Sequence, residues 1–371
     1  MTLAERYIRD WWIQKTWDDN VSRQNLARRL IDYYNGNQLE YLKLVLDDQF
    51  ADPAALKLQL GIDNITQLIA DKISRVFDSP PTLTCETPAG QALLDSLTAD
   101  GKFFLTLKTA EVYANLTCLV SLHPWFDDKQ KKIKTRLMPS HSLWAIQSED
   151  DPTEAEAIVY SQCSADTVSP MPTENFTYWD KETTRRFNLS GVNLLDESPN
   201  VYGILPFAIL RDQVPVDLFF PAIGDTLINA QDQLNVMLTE LNQLIKMQSF
   251  SQPVFFGLSD PKEQIKVDPS KPIKIPAGQR DETQPDFKFV TPQARITEVM
   301  EAIKEHVERT CSRWDIHVNV LDSGNIISGF ALKLTEIGLN RRREDSIPLA
   351  TEALNQWWAI VKVVHNYHFP S

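Results

Sequence analysis

The sequence predicts an α+β fold on three observations. Helical periodicity fills residues 1–78, short strand-like segments dominate 82–215, and two long amphipathic stretches flank a proline-rich insert. At 371 residues, two or three compact units fit. With 43% hydrophobic and 23% charged residues, the composition is that of an ordinary globular chain.

Each element has its own signal. Leu26, Leu30, Ile31 and Tyr34 recur at helical spacing and stop at Asn35-Gly36-Asn37. A second helix is predicted from about Asn64 to Phe77, with Ile65, Leu68, Ile69, Ile73 and Val76 as its apolar set. Ser79-Pro80-Pro81 breaks it. After a short helix near 92–97, strands are predicted at 116–122, 132–138, 157–161, 176–179 and 185–189, with turn-rich sequence between them. This spacing predicts an antiparallel sheet, with Trp144, Phe176, Tyr178 and Trp179 as its core and edge aromatics.

Residues 216–250 carry the strongest helical signal. Ile223, Leu227, Ala230, Leu234, Leu238, Leu241 and Ile245 form one apolar seam, with Gln231, Asn235 and Asn242 among the amides on other faces. Such a helix would be about 40 Å long. Seven prolines then fall within 251–292, which forbids long helix and favours edge strands at 254–256, 273–275 and 287–290. A second long helix is predicted at 293–313, with Ile296, Val299, Met300, Ile303, Val307 and Cys311 as its seam. Residues 315–329 have no helical period, and a last helical region runs from Phe330 to about His368, interrupted by Pro348.

Charge and motifs narrow the chemistry. Thirty-seven Lys and Arg against 50 Asp and Glu give −13, which argues against tight, groove-reading DNA binding but allows DNA to slide past an acidic wall. No phosphate-cradling loop, nucleophile elbow or HExxH motif occurs. Cys85, Cys118, Cys163 and Cys311 are widely spaced and predict reduced thiols, neither a zinc site nor a disulfide framework. His365 and His368 are read as surface imidazoles, and Asp127-Asp128 and Glu149-Asp150-Asp151 as solvated turns. A carboxylate-dependent hydrolase remains an alternative that would need two close acids in a deep pocket. Of the basic runs, 129–134 reads as a lysine-blunted hairpin and strand edge. Arg341, Arg342 and Arg343 read as a helix face ion-paired with Glu344 and Asp345, with phosphate contact as the sharper alternative. The N-terminus has no apolar run, so it is not read as a signal peptide, and no stretch approaches the ~20 apolar residues of a membrane span. A soluble, intracellular chain with no membrane and no cofactor is expected.

The order of elements resembles the portal proteins of tailed bacteriophages over about residues 30–365. The resemblance is carried by YYNGNQLEYL at 33–42, VYGILPFAILRD at 201–212, PAIGDTLINAQDQLNVMLTELN at 221–242 and SGFALKL at 328–334. It implies a helical and β-rich wing at 1–217, stem helices at 218–250 and 293–314, and a small β-containing clip at 251–292. A tunnel loop at 315–328 and a C-terminal wing helix with a minimal crown at 329–371 complete the pattern. The chain departs from many members by ending at Ser371, so the crown is either minimal or truncated.

By the same resemblance the subunits close into a ring of roughly a dozen copies through head-to-tail interfaces. The ring would sit at one capsid vertex of the virion, assembled in the bacterial cytoplasm, and conduct double-stranded DNA. The loop residues facing DNA would be Val318, Asn319, Val320, Leu321, Asp322, Ser323 and Asn325. The clip residues facing the terminase large subunit and then the head-tail adaptor would be Pro253, Asp260, Lys262, Lys271, Lys274 and Arg280. Major capsid and scaffolding proteins would be further partners. Another oligomeric phage structural protein, an adaptor or minor head protein, is the nearer alternative to the hydrolase.

Overall fold

The computed structural model describes residues 7–8, 11, 18–49, 59–164, 173–188, 194–248, 252–256, 286–290, 295–316 and 329–370. The chain divides into two units: residues 1–38, 64–231 and 309–371 form the first, and 39–63 with 232–308 the second.

In the first unit, α1 (Asp18–Tyr34) buries Ala27, Leu30 and Ile31. Gly36, at φ +81°, ends it: Gly36 N donates to Tyr33 O and Asn37 N to Asp32 O, the paired bonds of a Schellman stop that an L side chain would strain. Helix α2 (Leu39–Gln49) follows and belongs to the second unit. Helix α3 (Ile65–Ile73) starts at Asn64, whose side chain accepts from Gln67 N. It stops four residues short of the predicted Phe77, because the backbone N–H groups of Val76 and Phe77 turn away to a buried carboxylate, Glu111. Helix α4 (Pro88–Thr98) is capped by Thr87 and has proline at its first position.

Helix α5 (Lys102–Thr117) was not legible in the sequence. Phe103, Leu107, Ala110, Val112, Ala114 and Leu116 are all buried, so its apolar side chains form no single stripe. The strand predicted at 116–122 is corrected accordingly. Leu116 and Thr117 close α5, Cys118 turns the chain at φ +68°, and strand β1 begins at Leu119.

Strands β1 (Leu119–Asp127) and β2 (Lys132–Pro139) form an antiparallel hairpin. Strands β3 (Leu143–Gln147), β4 (Ala155–Ser164), β5 (Thr173–Trp179), β6 (Thr183–Asn188) and β7 (Leu194–Pro199) make a five-stranded antiparallel sheet in that order. Strand β8 (Ala208–Arg211) pairs with β1, giving a three-stranded sheet with β2 at its edge. The predicted antiparallel β region is thus two sheets. Their facing sides enclose Leu119, Met138, Leu143, Ile158, Tyr160, Phe207 and Phe219. The outer face of the larger sheet holds Trp144, Phe176, Tyr178 and Phe187 against Ile8 and Trp11.

Helix α6 (Thr226–Gln248) begins later than predicted. Phe219 is drawn into the core between the sheets, and Pro221 disfavours helical backbone at the residue before it. Strands β9 (Gln252–Phe256) and β10 (Asp286–Val290) pair antiparallel, and α7 (Ile296–Ser312) follows. The strand predicted at 273–275 lies outside the described residues. Helix α8 (Gly329–His368) runs without interruption through Pro348, contrary to expectation. Pro348 is exposed, so water can take the carbonyl whose helical donor is missing. Ala353, Trp357, Ile360, Val361 and Val364 of α8 join α5 in covering the smaller sheet.

Candidate functional site

The predicted loop 315–328 is entered through α7. Its last turn closes on Asp315 in the left-handed region (φ +59°), with Asp315 N donating to Ser312 O and Ile316 N to Cys311 O. The same Asp315 lies against α8 at Gly338, where an added Cβ would stand 2.6 Å from Asp315 Cβ. The loop entry is therefore pinned to α8 by a position only glycine can hold. Val318, Asn319, Val320, Leu321, Asp322, Ser323 and Asn325 lie outside the described residues. So do Asp260, Lys262, Lys271, Lys274 and Arg280 of the insert. Pro253 is described: it sits in β9 opposite Phe289 of β10.

The arginine run lies on α8, with Arg341 and Arg343 exposed and Arg342 half-buried. The expected ion-paired face is not found: among the described residues none of the three guanidiniums is within salt-bridge distance of a carboxylate. The i,i+3 and i,i+4 positions that Glu344 and Asp345 occupy do not bring charges together here, since all but Arg342 point to solvent. Arg342 instead acts through space on Asp212. Burial pushes the Asp212 carboxyl up to about 6 and Arg342 partly offsets it, while Asp212 Oδ1 makes no hydrogen bond.

In the second unit, α6 and α7 face one another. Met237, Glu240 and Leu244 line one side of a groove and Arg295, Glu298, Val299 and Ala302 the other. The two seams are unevenly covered. Leu234 is buried, but Ile245 is 45% and Met300 56% exposed. Of the amides set on faces other than the seam, Asn229 and Gln233 are exposed while Gln231 and Asn235 are buried. Asn235 and Thr239 are buried and hold an extended strip of chain: Asn235 Oδ1 accepts from Asp63 N, and Thr239 Oγ1 from Gly61 N. An unpaired backbone N–H in a core is costly, so a polar side chain is the better inward residue there. In the first unit Gln231 does the same for the N–H and hydroxyl of Thr66.

A cleft in the first unit has a volume of about 900 Å³. Lys102, Lys131, Lys132 and Lys134 surround it with one carboxylate, Asp100. The basic run 129–134 lies on the β1–β2 hairpin and the outer strand of its sheet, as read, but its meeting with Lys102 depended on the unrecognised α5. Asp127 accepts from Lys129 N, Gln130 N and Lys134 Nζ, and Asp151 from Thr153; both are held below the ordinary carboxylate range by those donors. His368 departs from the surface-imidazole reading: its ring stacks on Phe126 at 3.8 Å and its Nε2 meets the Tyr202 hydroxyl at 2.9 Å. Cys85, Cys118 and Cys311 are free thiols. Among the described residues no helix is long and apolar enough to cross a membrane.

The family model for phage portal proteins of the SPP1 Gp6-like type matches residues 13–370. The chain belongs to the phage portal protein family. This portal-family chain is also similar to a chain of the virion of a native gene transfer agent particle. That likeness covers 82% of this chain and 76% of the other at 13% identity, with a TM-score of 0.43. No curated protein matches this portal-family sequence.

Proposed function

We propose that this protein closes into a ring at one capsid vertex and forms the channel through which double-stranded DNA is packaged and ejected. The observation that carries the reading is the pair α6 and α7, joined through the proline-rich segment that contains β9 and β10, with Ile245 and Met300 left uncovered. Exposed seam residues on facing helices are the expected state of one subunit taken out of an assembly. Residues 218–250 and 293–314 serve as the stem and 251–292 as the clip that meets the terminase and then the head-tail adaptor. Residues 1–217 and 329–371 serve as the wing, and the loop 315–328 narrows the bore. At −13 per copy the ring repels phosphates, so DNA passes without being gripped.

The hydrolase alternative needs two close carboxylates in a cleft, whereas the 900 Å³ cleft of the first unit offers Asp100 among four lysines. An adaptor or minor head protein has no reason to carry two long helices around an insert. Electron microscopy of the purified chain tests the proposal. Rings with a central hole and countable symmetry are expected, and a strictly monomeric protein at every concentration overturns it.

A further inference from the structure

We propose that the lysine-lined cleft receives the acidic edge strand β7 of a second copy of this chain, an interface that rests on the ring reading. The cleft presents positive charge in a chain of net −13. Lys132 makes no ion pair among the described residues. The Lys131–Asp128 contact (3.5 Å) and the Lys102–Asp100 contact (3.9 Å) join exposed groups and hold those lysines weakly. Only Lys134 is firmly engaged, by Asp127 at 2.6 Å. Leu93, Leu97, Phe103, Ile133 and Phe369 also line the cleft. The matching occupant therefore carries both negative charge and aliphatic side chains. A phosphodiester backbone would answer the lysines and leave this apolar lining uncovered.

Strand β7 has the complementary chemistry. It reads Leu-Leu-Asp-Glu-Ser-Pro and is the last strand of the five-stranded sheet. All six of its residues are exposed, with Leu194 at 51% and Leu195 at 54%. Glu197 is engaged by Arg185 at 2.7 Å, while Asp196, opposite Arg186 in the ladder, makes no ion pair among the described residues. An edge strand with two adjacent exposed leucines is an open template for association. The cleft and β7 are different surfaces of one chain, so their pairing is head-to-tail, the interface type that closes rings.

The test is a charge swap in the full-length protein, read by sedimentation and electron microscopy at matched salt. Lys132→Glu and Asp196→Lys each raise the concentration needed for half-assembly by on the order of tenfold, and the double variant returns it to within about threefold of wild type. Thermal melts of the dissociated chains stay at the wild-type value, because both residues are exposed. Zero-length carbodiimide cross-linking of mixed isotope-labelled and unlabelled wild-type rings gives a second readout that needs no variant: it joins Lys131 or Lys132 of one copy to Asp196 or Glu197 of another. Wild-type rings that neither variant weakens, a double variant no better than the singles, or rings without that cross-link overturn the docking and leave the ring reading standing. Lysine reversal that weakens retention of a double-stranded DNA fragment while assembly is unchanged gives the cleft to phosphate and also overturns it. A wild type that never leaves the monomer removes both proposals.

Discussion

Replacing Glu111 tests whether one buried carboxylate sets the end of α3 and the geometry beneath α5. Glu111 is 6% exposed, and its two oxygens accept from Val76 N at 2.7 Å and Phe77 N at 2.9 Å. One turn further on, Asn115 Nδ2 donates to Ser74 Oγ at 2.9 Å, so α5 holds the whole of 74–77 from one face. Burial raises the Glu111 carboxyl above its ordinary range despite the two donors, so desolvation takes back part of what the bonds contribute. Glu111→Ala removes both acceptors and leaves two backbone donors without partners in the core. At about 1–3 kcal/mol for each stranded donor the cost is about 2–6 kcal/mol, a large share of the ~5–15 kcal/mol that holds a domain together.

The assay is urea unfolding at fixed protein concentration, since an assembling chain has concentration-dependent stability. The midpoint falls while the slope stays constant, because the surface exposed on unfolding is unchanged. Glu111→Gln keeps one acceptor and sets an amide N–H₂ against the second donor, so it falls between wild type and alanine. A Glu111→Ala protein within about 0.5 kcal/mol of wild type would refute the reasoning, because that is the range of an ordinary surface change.

Two further predictions follow from close contacts and burial. Gly61→Ala places a Cβ 2.6 Å from Leu238 Cβ and 2.7 Å from its carbonyl carbon, forcing the strip off α6 and breaking the Gly61 N to Thr239 Oγ1 bond. A loss of about 2–4 kcal/mol is expected in urea, combining overpacking with a lost hydrogen bond, and a neutral variant would show that the strip is not held this closely. Asp212 has a folded pKa raised to about 6 from an ordinary 3.8. The folded state therefore holds its proton more tightly. The stability from this group is full below pH 4, falls as pH rises towards 6, and is flat above, by at most about 3 kcal/mol. Asp212→Asn abolishes that slope in denaturation curves taken from pH 4 to 7, and a slope that survives the substitution assigns it elsewhere.

What could be read in advance tracks how one-sided each element is. Helix α1 has its apolar side chains on one face and a glycine stop, and its end was legible. Strands β2, β4, β5 and β6 alternate and were legible too. Helix α5 is buried on several faces, which erases periodicity, and it alone brings Lys102 to the hairpin lysines and Glu111 to the end of α3. Nothing local in the sequence marks Gly338, because the Asp315 it accommodates is 23 positions away. The arginine run misled for the opposite reason: sequence neighbours of opposite charge were assumed to pair, but exposed side chains gain little by doing so.

The amide-rich stretch of α6 shows why residue polarity alone does not give every buried position: Ile223, Leu227, Ala230 and Leu234 of the seam are buried, and so are Gln231 and Asn235. A helix packed on another helix meets side chains and does best with leucine. In the second unit α6 meets an extended strip whose N–H groups no strand satisfies, so Asn235 and Thr239 turn inward and Asn242 Nδ2 reaches Gln59 O. Turning those polar positions inward commits the helix to a rotation about its axis. Leu241 and Leu244 are then only half-buried, and Ile245 is exposed, beside a groove shared with α7. The aliphatic excess on that side is the consequence of satisfying backbone on the other. Rotating α6 to bury Ile245 would strand the N–H groups of Gly61 and Asp63. The apolar surface that Leu241, Leu244 and Ile245 leave exposed is what the proposed ring of copies would cover.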